Sequence, residues 1–208
     1  MRRRDKEVTD RAALEEVLVQ AEWGTLGLVT PEGRPLMVPL NFVYDQGRLC
    51  FHSSPAGEKM ATLKANGEAS FLVVDSYAVI PSYAFDPAQA CSASQFYKSV
   101  LAYGRVTMVE DLERKVEVLE RLMKRLQPEG GYQPITAAGP MYQAGVKGIA
   151  VLEMTVDRLS GKFGLGQNLN PETRTAVVRF LQLRGNPGDA RTLAAMAGAA
   201  ALPRAGSR

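Results

Sequence analysis

The chain has 208 residues, 46% of them hydrophobic and 23% charged, and a formal net charge of +3, which suits one soluble globular domain. The excess of basic residues comes from the two ends, and the body of the chain is near neutral with no element that concentrates basic residues, which disfavours nucleic acid as the main partner. No run approaches the roughly 20 apolar residues that cross a bilayer, and no apolar signal segment follows the basic start, so we expect a cytoplasmic protein without a membrane partner.

The amino-terminal part of the chain predicts one helix followed by β-hairpins. Apolar residues at helical spacing follow Asp10, which predicts an N-cap and an amphipathic helix that ends near Trp23. Short apolar runs then alternate with turns such as Pro31-Glu32-Gly33, a pattern typical of antiparallel hairpins. The predicted strands cover residues 25–30, 36–44 and 48–52.

The remainder of the chain predicts further strands, helices and one long loop. Residues 76–94 contain two prolines and are expected to be irregular, and Asn170 before Pro171 is typical of a helix start. Strands are predicted over 68–75, 95–109 and 148–157, and helices over 56–65, 112–126 and 171–183. We expect one domain over residues 1–183, followed over 184–208 by a small alanine-rich helix and a disordered tail.

Six or seven strands with hairpin connections predict a mainly β fold with peripheral helices, of the α+β class. An antiparallel sheet of this kind is expected to close wholly or partly into a barrel. Composition and spacing lead to this architecture and do not reach a function.

The segment around residue 53 is the most informative for chemistry. His52 and Ser53 end a predicted strand, Ser54 lies at the following helix start, and Lys59 is in its first turn. Unpaired N–H groups at a helix start favour a phosphate, and hydroxyl and ammonium groups add donors. Alternatively, Ser54 simply caps the helix and Lys59 is solvated, which the local pattern alone favours because serine caps are common.

His52 is the only histidine. Beside an anion site it could donate a hydrogen bond, act as a general acid or stack on a ligand, but a lone histidine is as often structural. Cys50 and Cys91 are the only cysteines, and the chain offers no zinc-ligand spacing, so we expect two free thiols and no metal.

Two other segments could face a ligand. Residues 38–41 (VPLN) place a proline inside a predicted strand, so the strand should lie at an edge or bulge and leave backbone groups free. Residues 97–100 (YKSV) put a lysine and a serine at the head of an apolar strand. On its own, the first segment is more typical of an ordinary edge strand, and the second could as easily mark the exposed entry to its strand.

Taken together, a series of short blocks along residues 1–175 carries a family resemblance. The blocks are MRRRDKEVTD (1–10), GTLGLV (24–29), VPLNFVY (38–44), GRLCFHS (47–53), GEKM (57–60), LKAN (63–66), YKSV (97–100), GRV (104–106), GVKGI (145–149) and DRLSGK (157–162). In order and spacing they resemble the pyridoxamine 5′-phosphate oxidase-like split-barrel superfamily, nearest to its nitroimidazole-resistance (Nim) and flavin-nucleotide-binding branch. The segment KFGLGQN (162–168) also resembles the FMN-binding regulator-like branch.

This resemblance implies a non-covalently bound FMN at the interface of a homodimer. The implied contacts are Val38, Pro39, Leu40 and Asn41 along the isoalloxazine ring, Ser53, Ser54 and Lys59 at the phosphate, His52 near the flavin as a tentative catalytic residue, Ser99 and Val100 in the wall, and Gln167 and Asn168 from the second subunit.

The resemblance leaves three functions open. The first is an oxidoreductase that takes electrons from a nicotinamide donor and reduces a small acceptor such as a nitroaromatic. The second is a flavin-binding sensor, store or regulator without turnover. The third is haem or deazaflavin binding in the same barrel, of which haem is the weakest because His52 is its only candidate imidazole ligand. Oxidation of vitamin B6 is not expected, because the basic carboxyl-terminal strand of the true oxidases is missing.

Overall fold

The computed structural model describes residues 4–86 and 88–201, apart from the side chains of residues 200 and 201. The described chain divides into two compact units. The hairpin unit comprises Leu18–Val73 and Leu101–Leu159, and the terminal unit comprises the described residues within Met1–Val17, Val74–Val100 and Ser160–Arg208. The predicted disordered tail falls on residues 202–208, which lie outside the described residues.

The described residues form eight strands and six helices. The strands are β1 (Glu7–Val8), β2 (Gly24–Val29), β3 (Pro35–Leu40), β4 (Val43–Asp45), β5 (Arg48–Ser53), β6 (Glu68–Ile80), β7 (Ser94–Met108) and β8 (Ala150–Gly164). The helices are α1 (Arg11–Gln20), α2 (Glu58–Ala65), α3 (Leu112–Leu126), α4 (Gln143–Gly148), α5 (Pro171–Arg184) and α6 (Asp189–Ala201). None of the helices in this described part of the chain is long and apolar enough to cross a membrane.

The strands of the hairpin unit form one antiparallel sheet in the order β3–β2–β6–β7–β8–β5–β4. The turn between β4 and β5 has positive φ angles at Gln46 (48°) and Gly47 (83°), as a two-residue type I′ hairpin requires. Strands β6, β7 and β8 are long and continue into the terminal unit, where β1 pairs with β8.

One predicted strand, over residues 36–44, is wrong because the structure forms two strands there. The chain leaves β3 after Leu40, and β4 starts at Val43 as the partner of β5. Between them the fully buried ring of Phe42 packs edge-on against Phe71, with ring centroids 5.0 Å apart. Burying this aromatic ring in the core takes the backbone out of the β3 ladder.

The predicted loop over residues 76–94 is also partly wrong, because β6 continues to Ile80. Within the terminal unit, the Ala78 N–H donates to Thr192 Oγ1 at 3.2 Å and the Val79 carbonyl accepts from Arg184 at 2.8 Å. These partners lie more than 100 positions further along the chain, so local composition carries no signal of them. The remaining loop holds two short 3₁₀ turns, Ser82–Ala84 and Ala90–Ser92.

An ionic network packs α3 against the sheet of the hairpin unit. Arg114 donates to Glu153 at 2.6 Å and to Asp45 at 3.4 Å, and both carboxylates are buried. Arg121 donates to Asp45 at 2.7 Å and Arg48 to Glu153 at 3.1 Å. Beneath the network, the buried core of α3 and the sheet consists of Val43, Cys50, Val109, Val118, Leu122 and Val151.

The terminal unit ends in two helices that an ion pair joins. Asn170 caps α5 by accepting from the Thr173 N–H at 2.8 Å, as predicted, and Gly185 ends the helix with a left-handed φ of 63°. Arg184 then binds the buried carboxylate of Asp189 at the start of α6 with two hydrogen bonds, at 2.9 and 2.5 Å. The alanine-rich segment thus forms a helix that is tied to the one before it.

Candidate functional site

The predicted phosphate site lies where β5 ends and α2 begins. The N-cap of α2 is Gly57, whose φ of 104° favours glycine, and no side chain accepts a hydrogen bond at this cap. Ser54 is not the cap, because its Oγ accepts from the Ala56 N–H at 3.3 Å. The hypothesis that Ser54 caps the helix is therefore wrong, and the first turn keeps backbone donors available for an anion.

His52 and Lys59 lie near this helix start, and the charge of Lys59 acts on His52. His52 is half-buried, and its Nδ1 is buried without a hydrogen-bond partner among the described residues. Burial, and then the charge of Lys59, lower the pKa of His52 below its ordinary value. Burial also lowers the pKa of Lys59. Both side chains are therefore incompletely solvated when charged, and an anion bound beside them would relieve that cost.

The neighbouring hydroxyls have different surroundings. Ser53 is buried and its Oγ donates to the Ser54 carbonyl at 3.0 Å, whereas the Ser54 side chain is exposed. The structure thus brings four predicted residues, His52, Ser53, Ser54 and Lys59, together at one end of β5.

The predicted flavin-ring segment lies on and just after β3. This strand is at one end of the strand order, so the predicted edge position is confirmed. Pro39 is exposed, while Val38 and Leu40 are half-buried. Asn41 is exposed, and its Nδ2 donates to the Glu22 carbonyl at 3.3 Å. The edge leaves backbone groups on one side of β3 without a strand partner in the described sheet.

The predicted wall residues Ser99 and Val100 lie on β7 in the terminal unit. Ser99 Oγ donates to the Lys162 carbonyl on β8 at 3.2 Å. Val100 has no exposed surface within the chain and belongs to the core. Of these two residues, only Ser99 therefore has a side chain that can form a hydrogen bond.

Gln167 and Asn168 follow the end of β8 in the terminal unit. Gln167 Oε1 accepts from the Leu165 N–H at 2.8 Å, and its Nε2 donates to the carbonyls of Phe163 and Asp5. Asn168 is exposed and lines a cavity. The amide of Gln167 is engaged in holding the local backbone, whereas the side chain of Asn168 is exposed.

Lys98 has surroundings that the sequence did not predict. Its Nζ lies over two aromatic rings of the terminal unit, 5.4 Å from the centroid of Phe163 and 5.9 Å from that of Tyr77. These cation–π contacts join three strands, and residues so far apart in sequence leave no local signal. Lys98 therefore does not mark an exposed strand entry.

The described residues contain no group of three or more His, Cys, Asp or Glu side chains that could hold a metal ion. Both cysteines are free, with Cys50 buried and Cys91 exposed.

Comparison with known proteins identifies a family and a fold. A family model described as pyridoxamine 5′-phosphate oxidase matches residues 10–163, more than half of the chain. A Bacteroides thetaiotaomicron VPI-5482 protein, described as a candidate 5-nitroimidazole antibiotic resistance protein, is 26% identical, with a TM-score of 0.62 over 75% of this chain and 85% of that one. No curated protein matches the chain.

Two more distant structures share the fold. The flavocytochrome Anf3 from Azotobacter vinelandii is 19% identical, with a TM-score of 0.63 over 76% of this chain and 69% of that one. The FAD and heme binding protein from Mycobacterium smegmatis is 20% identical, with a TM-score of 0.63 over 76% and 73%. The predicted fold class, an α+β antiparallel split barrel, is confirmed.

Because the chain has one histidine, its titration can be followed without assignment. We expect the pKa of His52 to lie below that of an exposed histidine, so that the ring is neutral at pH 7. Lys59→Gln should raise this pKa only in part, because burial is the larger cause. A histidine ring-proton titration by NMR measures both values.

Lys64→Gln is the matched control, since Lys64 lies in the last turn of the same helix and is exposed. An equal shift in both variants, or a His52 pKa at the ordinary value in the unchanged protein, would contradict the effect of the Lys59 charge on His52.

Proposed function

The chain belongs to the pyridoxamine 5′-phosphate oxidase family, and on this basis we propose that it is an FMN-dependent oxidoreductase. It takes electrons from a nicotinamide donor and reduces a small acceptor of the nitroaromatic type. The observation that carries the proposal is the start of α2, which has no side-chain cap and lies beside Lys59 and His52.

The residues at this helix start fit a phosphate. The space around Gly57 is open, since a Cβ at this position would meet nothing within 4 Å. Backbone N–H groups of the first turn, the Ser54 hydroxyl and Lys59 supply neutral and charged donors. A phosphate monoester is dianionic near pH 7 and matches this set better than a neutral alcohol does.

The edge strand β3 suits the ring system of the cofactor. Val38 and Leu40 are half-buried apolar side chains, and Pro39 and Asn41 are exposed beside them. We assign these four residues to the isoalloxazine ring, with Gln167 and Asn168 contributed by the second subunit. FMN, when bound, supplies the redox chemistry, and the protein supplies binding, orientation and electrostatics.

His52 is the residue assigned to proton handling. A neutral imidazole carries a proton on one nitrogen and can accept one at the other. The Nδ1 of His52 is buried and has no partner among the described residues, which favours the neutral ring until an anion binds nearby. A dianionic phosphate near Lys59 would offset the charge that opposes protonation of His52. Ligand binding thereby makes His52 a better proton carrier.

A homodimer is part of the proposal. Two adjacent strands of the hairpin unit carry an exposed apolar patch of Val29, Pro35 and Met37, with Val29 57% and Met37 58% exposed. Apolar side chains grouped on an edge of a sheet favour association with a second copy. In a two-fold pairing each copy contributes the same surface, and both flavin sites are completed.

FMN should bind more tightly than riboflavin, and Lys59→Ala should weaken FMN alone. Losing one charge-assisted hydrogen bond of about 1.5–3 kcal/mol lowers affinity roughly tenfold or more. Fluorescence titration of the apoprotein with each flavin measures both constants, and Lys64→Ala is the control. An equal loss of affinity for FMN and riboflavin would contradict the phosphate assignment.

Turnover should depend on His52. A nicotinamide donor should bleach the flavin absorbance of the FMN-loaded protein under anaerobic conditions, and a nitroaromatic should restore it. His52→Ala and His52→Gln should slow nitroaromatic reduction about 100-fold or more if the imidazole moves a proton. Both variants should keep FMN and the dimer.

If neither NADH nor NADPH bleaches the flavin absorbance, the oxidoreductase proposal is overturned and a flavin-binding module without turnover is favoured. A lowered melting temperature with unchanged reduction in both His52 variants would make the residue structural.

The dimer should depend on the patch around Met37. Met37→Glu places a charge in an apolar contact and should shift the protein toward the monomer in light scattering at micromolar concentration. Met141→Glu introduces the same charge at another exposed methionine, 70% exposed, and should leave the dimer intact. A monomer that still carries FMN in the unchanged protein would rule out the shared site.

A further inference from the structure

The terminal unit contains a cavity of about 530 Å³ that the proposed function does not use, apart from Asn168 on its wall. It lies between the loop after β6, the end of β8 and the start of α5. Cavities of about 300–1,000 Å³ are typical of small-molecule sites. The lining residues therefore indicate which molecule would fit.

Aromatic side chains form part of the cavity wall. Phe96 on β7 is almost fully buried, and Phe85 in the loop is half-buried. Gly166 lies against Phe96 with a positive φ of 70°, and a Cβ there would come within 3.0 Å of the ring. The close approach of this backbone keeps the Phe96 ring at the wall, where it can pack against a flat apolar group.

Two opposite charges face the same cavity. Lys6 and Asp86 both line it, and neither forms an ion pair with another described residue. Asp86 accepts one hydrogen bond, from the Ala88 N–H at 2.8 Å to Oδ1, and its second carboxylate oxygen remains available. A ligand with one negative and one positive group could pair with both residues at once.

Polar side chains complete the lining. Ser92 and Ser94 line the cavity, and their hydroxyls have no hydrogen-bond partner among the described residues. They can donate to a carboxylate or accept from an ammonium group. The wall thus combines aromatic surface, one cation, one anion and neutral donors.

We propose that this cavity binds a small aromatic zwitterion of the aromatic amino-acid class. The ring packs against Phe85 and Phe96, the carboxylate pairs with Lys6, and the ammonium group pairs with Asp86. Apart from Asn168, no residue of its lining is assigned to the flavin, so the site does not depend on the proposed flavin function.

Cys91 gives the site a built-in reporter. It is exposed and lines the cavity, whereas Cys50 is fully buried. Burial, followed by the charge of Glu153, raises the pKa of Cys50 to about 12, so few Cys50 thiolates exist near neutral pH. Iodoacetamide should therefore modify Cys91 alone, and a bound ligand should slow that reaction.

The test compares three molecules with the same ring. L-phenylalanine carries both charges, 3-phenylpropionate only the carboxylate, and 2-phenylethylamine only the ammonium group. Mass spectrometry follows the rate of Cys91 alkylation in the purified full chain, and isothermal titration calorimetry measures binding directly. L-phenylalanine should protect Cys91 at concentrations roughly tenfold or more below those of either analogue, because each analogue lacks one charge-assisted pair.

Two variants test which residue pairs with each charged group of the ligand. Lys6→Gln should weaken the binding of L-phenylalanine and 3-phenylpropionate but leave that of 2-phenylethylamine unchanged. Asp86→Asn should weaken the binding of L-phenylalanine and 2-phenylethylamine but leave that of 3-phenylpropionate unchanged. Lys64→Gln, distant in sequence and exposed, should change none of the three. Loss of FMN binding in a Lys59 variant without any change in these values would show that the two sites are separate.

Three results would overturn the proposal. The first is no protection of Cys91 and no heat of binding with any of the three molecules. The second is equal protection by all three, which would mean an apolar hollow without charge recognition. The third is unchanged binding of L-phenylalanine in both the Lys6 and the Asp86 variants.

Discussion

Arg114 reaches from α3 to two buried carboxylates, Glu153 on β8 and Asp45 on β4. Glu153 lies opposite Cys50 in the β5–β8 register, and His52 is two residues further along β5. Removing one partner of a buried pair leaves an uncompensated charge, so these strands cannot slip against the helix without a large loss. The planar guanidinium also fixes the directions of its hydrogen bonds to the two carboxylates. The end of β5 is therefore held in place before any ligand binds.

The charged groups of the hairpin unit therefore fall into two classes. Those around Glu153 have partners on several sides and serve the fold. The pair His52 and Lys59 is different, because burial disfavours the charged form of both and Nδ1 of His52 has no partner among the described residues. Incomplete satisfaction at the end of a rigid strand is what an anion-binding site requires, and it distinguishes this corner from the structural network.

Local signals were sufficient for much of this architecture. Asp10 and Asn170 accept the capping hydrogen bonds that their positions indicate, and α3 spans the residues its apolar spacing predicts. Long-range contacts decided the rest. The length of β6 depends on Thr192 and Arg184, and the break after β3 depends on the core position of Phe42.

The candidate site, like the fold, could be predicted from the sequence only in part. The order of residues along the chain was enough to place His52 and Ser53 at a strand end before a helix. It could not show that Gly57 takes the cap position in place of Ser54, since that depends on a backbone conformation. Nor could it show the cavity of the terminal unit. Lys6 and Asp86, which both line it, lie 80 positions apart in sequence and come together only in the folded unit.

Because of the two carboxyl-terminal helices, the folding unit extends beyond the residues that the family model matches. The family match stops at residue 163, yet α5 and α6 supply fully buried side chains, among them Val177, Leu181 and Thr192. An excised 10–163 fragment would leave the Ala78 N–H and the Val79 carbonyl without their partners and expose apolar surface on β6. The segment outside the family match is thus structural and not an appendage. A homologue that lacks it must close the same strand by another means, and grafting between relatives should cut after α6.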